Sequence, residues 1–213
     1  MYSQLDQDKW VNSVLGNKQD GFFVELGASN GVELSNTLFF ERFLGWNGIC
    51  IEPNPKFKDE LSKNRKCHIC NFCVSSIDDR ELDFSVCGYT SGLIETAGPF
   101  TKKKDSIIKV KTKTMESILK MYNAPNVIDY LSLDVEGHEY EILKTFPFDK
   151  YIIKCITVEH NEPHTGPEMR YKIRDILVKN GYVFVKGNDN IRNWKHGPID
   201  DFYIHNSVTP ASD

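Results

Sequence analysis

Apolar residues along this chain gather in short runs, each closed by glycine, proline or an acid. Phe22, Phe23, Val24 and Leu26 form the first run, and Gly27 and Gly31 mark a turn after it. Glu33 to Leu44 follows with helical spacing, so the pattern predicts strand, glycine turn, helix. Gly48 to Pro53 is a second short strand that carries Glu52 at its tip and is stopped by Pro53 and Pro55. Lys56 to Asn64 predicts a helix, and His68 to Ser75 a third strand. Arg80 to Cys87 alternates polar and apolar residues, as a half-exposed strand does.

Gly88 to Ser106 is rich in Gly, Thr, Ser and Lys, and a loop of this length suits a functional lid. Ile107 to Lys113 alternates lysines with apolar residues, and Thr114 can cap a helix to about Tyr122. Val127 to Asp134 is a fourth core strand, followed by Val135-Glu136-Gly137-His138-Glu139 and a helix to Phe146. Tyr151 to Val158 is a fifth, ending in Glu159-His160-Asn161. A helix from Glu168 to Asn180 precedes two closing strands, Tyr182 to Lys186 and Phe202 to His205. Alternating strands and helices predict a parallel sheet covered on both faces. The last two strands are joined too closely for a crossover helix, so one strand of seven should run antiparallel. A single α/β domain over residues 1–213 is expected, with residues 1–20 as a cap segment.

Composition changes this picture little. With 213 residues, 40% of them hydrophobic, the chain can bury one substantial core. A formal charge of −4 supplies no drive toward nucleic acid or an anionic membrane. Lys102, Lys103 and Lys104 with Lys109, Lys111 and Lys113 lack interleaved aromatics and read as a solvated face. No apolar run approaches the ~18 residues of a membrane span, and the start has neither a basic nor an apolar leader region. Six cysteines without secretory context read as free thiols, so a cytoplasmic protein is expected. Cys67-x-x-Cys70-x-x-Cys73 has metal-like spacing, but residues three apart on a strand face opposite sides.

The chemistry concentrates at strand ends, where open α/β sheets bind ligands. Glu52 stands where such folds place an acid for ribose hydroxyls. The turn lacks the G-x-G-x-x-G of a dinucleotide site, and Glu25 beside it would repel phosphate and suit a cationic amino group. A second constellation, Asp134, Glu136, Glu159, His160 and Asn161, lies at the ends of two strands expected to be neighbours. Asp134, Glu159 and His160 could hold Mg²⁺ or Mn²⁺ against an acceptor hydroxyl, or Asp134 or His160 could serve as a metal-free general base.

Val24-Glu25-Leu26-Gly27-Ala28-Ser29-Asn30-Gly31, Ser35-Asn36-Thr37, Trp46-x-Gly48-x-x-Ile51-Glu52-Pro53 and Ser132-x-Asp134-x-Glu136-Gly137-x-Glu139 resemble the FkbM-type family of S-adenosylmethionine-dependent O-methyltransferases. The resemblance implies a class I methyltransferase fold, with the glycine turn under the methionine moiety, Glu52 on the ribose and Ser75 near adenine. The implied cofactor set is Glu25, Gly27, Ser29, Asn30, Gly31, Asn36, Glu52, Ser75 and Asp134, and the implied acceptor is a sugar hydroxyl in a glycan or natural product. In-line methyl transfer requires alignment and exclusion of water, which would give the 88–106 loop and the segment from Ser3 to Trp10 a covering role. Two alternatives are a nicotinamide oxidoreductase, which the missing glycine motif disfavours, and a non-catalytic binding module on the same fold.

Overall fold

The computed structural model describes residues 2–96, 106–162, 166–187 and 199–211. In chain order the elements are α1 (Gln7–Val14), β1 (Phe22–Leu26), α2 (Leu38–Phe43), β2 (Asn47–Ile51), a 3₁₀ turn (Pro55–Phe57), α3 (Lys58–Asn64), β3 (His68–Cys70), β4 (Cys73–Val74), β5 (Glu81–Val86) and β6 (Gly92–Leu93). They continue as β7 (Ser106–Lys113), α4 (Met115–Met121), β8 (Val127–Leu133), α5 (Glu139–Lys144), β9 (Ile152–Glu159), α6 (Pro167–Lys179), β10 (Tyr182–Gly187) and β11 (Asp200–His205).

Seven strands form one sheet in the order β10-β11-β9-β8-β1-β2-β3. β1, β2, β3, β8 and β9 pair in parallel, and β11 runs antiparallel to both β9 and β10. Six strands thus point one way and β11 the other, as the close spacing of the last two runs requires. Side chains alternate between two cores. Val24 and Leu26 of β1 pack with Leu131, Leu133, Ile118, Ile142 and Ile173 on the face of α4, α5 and α6. Phe23, Cys50 and Tyr130 pack with Phe40, Val11 and Leu61 on the face of α1, α2 and α3. Because both faces are apolar, both must be covered, which makes the domain three layers.

The run from His68 to Ser75 does not stay in one strand. Its first part is the sheet edge β3, and Cys73–Val74 joins a second, four-stranded sheet in the order β4-β7-β5-β6. The two alternating runs, now β5 and β7, pair antiparallel there from Glu81↔Lys111 to Val86↔Ser106. Their half-polar pattern fits: β5 and β7 bury Leu82, Phe84 and Val110 against Cys73 and Leu93 and leave the lysine face to solvent. Lys102 to Lys104, and the part of the expected lid from 97 to 105, lie outside the described residues.

The helix expected from Glu33 begins only at Leu38. Leu34 has φ +60°, and the Ser35 hydroxyl accepts the Thr37 and Leu38 N–H groups at 3.3 and 3.1 Å, so residues 33–37 form a loop capped by Ser35. Ahead of β1, the chain also forms α1, which carries Gln7 and the fully buried Asp8.

Candidate active site

At the end of β1 the chain turns through Gly27, whose φ is +77°. A Cβ there would stand 2.0 Å from the carbonyl oxygen of Asp134, so only glycine lets the tips of β1 and β8 approach this closely. The turn is tied to the neighbouring strand by Glu52, whose carboxylate accepts the Ser29 N–H at 2.9 Å and the Asn54 N–H at 2.8 Å. Burial pushes the Glu52 carboxyl up to about 7, although both N–H bonds favour its charged form. Asn30 stabilises the same turn: its side-chain oxygen accepts the Val32 and Glu33 N–H groups, both at 3.0 Å.

Glu25 points into the core on the α2 side, where its charge is met inside the protein. Arg65, fully buried, pairs with Glu25 at 3.0 Å and with Glu41 at 2.9 Å. The Glu25 carboxylate also accepts the Asn36 N–H at 2.7 Å, the Thr37 hydroxyl at 2.7 Å and the Ser35 hydroxyl at 3.1 Å. Instead of offering a bare charge to a ligand, Glu25 anchors the loop at 35–37, and Asn36 from that loop donates to the Ser132 hydroxyl at 2.9 Å. Arg65 carries no motif signal, so nothing in the chain order pointed to it.

Across the turn stands a cluster of acids. Asp134, Glu139 and Glu159 place carboxylate oxygens within 4.8 Å of one another. Glu139, the first residue of α5, accepts the Val135 and Gly137 N–H groups at 2.9 and 3.1 Å and thereby shapes the loop after β8. Asp200 is brought in by the β11–β9 pairing, directly opposite Glu159, and accepts the side-chain N–H of Gln7 at 2.6 Å. Burial, then the charges of Asp134, Glu136 and Glu139, hold the Glu159 carboxyl well above the usual range, and its Oε2 accepts the Asn161 side-chain N–H at 2.7 Å. Burial also raises Asp134 itself, and pushes Glu136 up to about 9 and Asp200 up to about 7.

Of these acids Asp134 and Glu136 line a cavity whose space, with its open mouth, is about 990 Å³, and Glu139, Glu159 and Asp200 stand behind its wall. Of the expected cofactor set, Glu25, Gly27, Ser29, Asn36, Glu52 and Asp134 line it. Gly31 instead packs against Arg65 and Leu61, where a Cβ would come within 2.6 Å of both. Ser75 is buried behind the wall and reaches the cavity through His138, whose Nε2 lies 3.1 Å from the Ser75 hydroxyl. His160 does not converge with the acids: its Nδ1 accepts the Glu162 N–H at 3.1 Å, and its Nε2 lies 3.6 Å from Asp201 on the side of α6. Gln4, Gln7 and Leu34 line the cavity where residue 3 bridges to residue 34, so the N-terminal segment forms part of the wall. Val74, Phe84, Leu93, Pro53 and Val135 add apolar lining, the first three from the small sheet.

A family model described as the methyltransferase FkbM domain matches residues 25–184, from the glycine turn to β10. The chain belongs to this family. The FkbM domain protein is therefore an S-adenosylmethionine-dependent methyltransferase, and this decides between the cofactor readings left open by the turn. Its fold agrees. The structure is similar to a magnesium protoporphyrin IX methyltransferase from Synechocystis PCC 6803 solved with bound S-adenosylmethionine, with a TM-score of 0.51, 10% identity, and coverage of 93% of this chain and 77% of that one. It is also similar to a precorrin-6y C5,15-methyltransferase from Geobacter metallireducens, with a TM-score of 0.50, 12% identity, and coverage of 93% and 86%. No curated protein matches the sequence. Among the described residues no helix is long and apolar enough to cross a membrane.

The cavity fits the cofactor on its own terms. The Gly27 cradle has space only while Cβ is absent, a buried acid sits at the tip of β2 for hydroxyl donors, and the apolar lining is suited to a flat ring.

Proposed function

We propose that this methyltransferase acts on oxygen, transferring a methyl group to a hydroxyl of a sugar within a glycan or natural product. The observation that carries the reading is Asp134 in the cavity wall, beside the Gly27 turn and with a carboxylate oxygen within 4.8 Å of one on Glu159. S-adenosylmethionine supplies a methyl group made electrophilic by its sulfonium. Ser29 and Gly27 would bound the methionine part, Glu52 would accept ribose hydroxyls, and the apolar lining at Val74 and Phe84 would enclose the base, with Ser75 and His138 behind it.

An alcohol is a weak nucleophile, so a base must take its proton as the new C–O bond forms. Asp134 is the base in this reading, and Glu159 beside it, holding its own proton, adds no second negative charge to the site. Gln4, Gln7, Asn36 and Ser132 offer neutral hydrogen-bonding groups around the same wall, which suits a polyhydroxyl acceptor. Asp134→Asn should lower kcat by about 10²–10⁴-fold, the usual scale for a general base. Glu159→Gln keeps a neutral group beside Asp134 and should stay within about tenfold of the parent.

A divalent cation is the second reading, favoured by the three oxygens of Asp134, Glu139 and Glu159 within 4.8 Å. It predicts that Glu159→Gln abolishes activity and that EDTA removes it until Mg²⁺ or Mn²⁺ is restored. Glu159→Gln and EDTA thus separate the two readings, and the assignment to oxygen itself is tested by incubation with methyl-labelled S-adenosylmethionine and a panel of glycans, followed by location of the label. Label on nitrogen or carbon, with none on any hydroxyl, overturns the assignment to oxygen.

A further inference from the structure

We propose that Cys50 and Cys67 form a redox-modification site, a thiol pair that a peroxide converts to a disulfide, and that closing it loosens the cofactor cavity. The two Sγ atoms lie 3.5 Å apart. Cys50 is fully buried in β2, and Cys67, just before β3, is only half-buried, so Cys67 is the nearer of the two to solvent. The Arg65 guanidinium lies beside both sulfurs, while burial holds the Cys50 thiol well above its ordinary range, which leaves Cys50 as the partner that reacts second. The Cys50 Sγ is also 3.7 Å from the Glu25 carboxylate, and the Cys67 thiol faces Glu41, so the pair adjoins both acids that Arg65 holds.

The steps balance with hydrogen peroxide as the oxidant. The Cys67 thiolate attacks one peroxide oxygen, the O–O bond breaks, and hydroxide leaves and takes up a proton as water, giving a sulfenic acid. The Cys50 thiol then attacks that sulfur and gives up its proton, the S–O bond breaks, and the departing hydroxide takes that proton and leaves as a second water. Two thiols lose two electrons and two protons, and one peroxide becomes two waters.

The strand register explains why the bond would be felt in the cavity. Cys50 pairs with Ile69, so Cys67 meets it diagonally, two residues out of step. An offset of two residues adds about 6–7 Å along the strand to about 4.8 Å across it, roughly 8 Å between Cα atoms and beyond the span a relaxed disulfide bridges. The segment before β3 must therefore shift toward β2, and it carries Arg65. Arg65 holds Glu25, and Glu25 holds the 35–37 loop in the cavity wall.

The test is peroxide treatment of the reduced protein, with thiol counting, peptide mapping and calorimetry. Expected are the loss of two titratable thiols, a linked Cys50–Cys67 peptide pair, and an affinity for S-adenosylhomocysteine lowered by about five- to a hundredfold, the usual span of coupling between sites, with full recovery in dithiothreitol. Cys67→Ser should abolish all three changes, and Cys87→Ser should leave them in place. Cys67 oxidised stepwise to sulfinic acid, with Cys50 still open to alkylation after unfolding, overturns the site. A mapped disulfide with unchanged affinity overturns its link to the cavity. The affinity readout rests on the cofactor assignment above. Thiol counting and disulfide mapping do not, so failure of that assignment would show as no binding in either redox state.

Discussion

Replacing Arg65 with methionine tests the internal pairing on which the cavity wall depends. Methionine roughly matches the arginine stem but removes the cation, leaving Glu25 buried with no opposite charge. Glu25 is 3% exposed and Arg65 4%, so little solvent reaches the site to compensate. Breaking one side of a buried ion pair costs about 3–5 kcal/mol. Glu41 also loses a partner, but it sits nearer the surface and adds less. For a domain of this size that corresponds to a melting temperature lower by about 6–20 °C. The loss should grow with pH, because an unpaired buried Glu25 must take up a proton to remain inside, and a carboxyl whose folded pKa is raised loses stability as pH rises through that value. Urea unfolding of the parent, Arg65→Met and Glu25→Gln/Arg65→Met at pH 5.5 and pH 8 reads all of this. The double variant should recover about 2 kcal/mol or more, since neither side then carries charge. A loss under about 1 kcal/mol for Arg65→Met, or a double variant no more stable than the single, would refute the view that Arg65 is there to neutralise Glu25.

Gly27→Ala should destabilise the fold by about 2–4 kcal/mol, combining left-handed backbone strain with a contact to Asp134 that must be relieved, and should abolish S-adenosylhomocysteine binding by calorimetry. Glu52→Gln should weaken that binding about 10–100-fold through loss of charge-assisted hydrogen bonds. The same variant alters stability against pH: with the folded Glu52 pKa near 7 and the ordinary value at 4.5, its contribution is full below about 4.5 and is lost as pH rises through about 7. Between those limits the parent should lose about 3 kcal/mol relative to Glu52→Gln, and parallel stability curves from pH 4.5 to 8 would contradict the raised value.

Local pattern carried the fold and half of the site. Runs such as Phe22–Leu26 and Val127–Leu133 are apolar on both faces, a pattern that fits only strands covered by helices on each side, and the short join between β10 and β11 reversed one strand. Gly27, Glu52 and Asp134 were legible because strand ends are where an α/β sheet exposes backbone and acids together. Long-range partners were not legible. Arg65 meets Glu25 across 40 positions and Gln7 meets Asp200 across 193, and no periodicity links residues so far apart. The sequence by itself determined which elements form and which acids stand at their tips. Only the tertiary structure decided which of those acids are neutralised, turned away like His160 or crowded together like Asp134 and Glu159, because charge, burial and pKa depend on what the other elements bring to the same few ångströms.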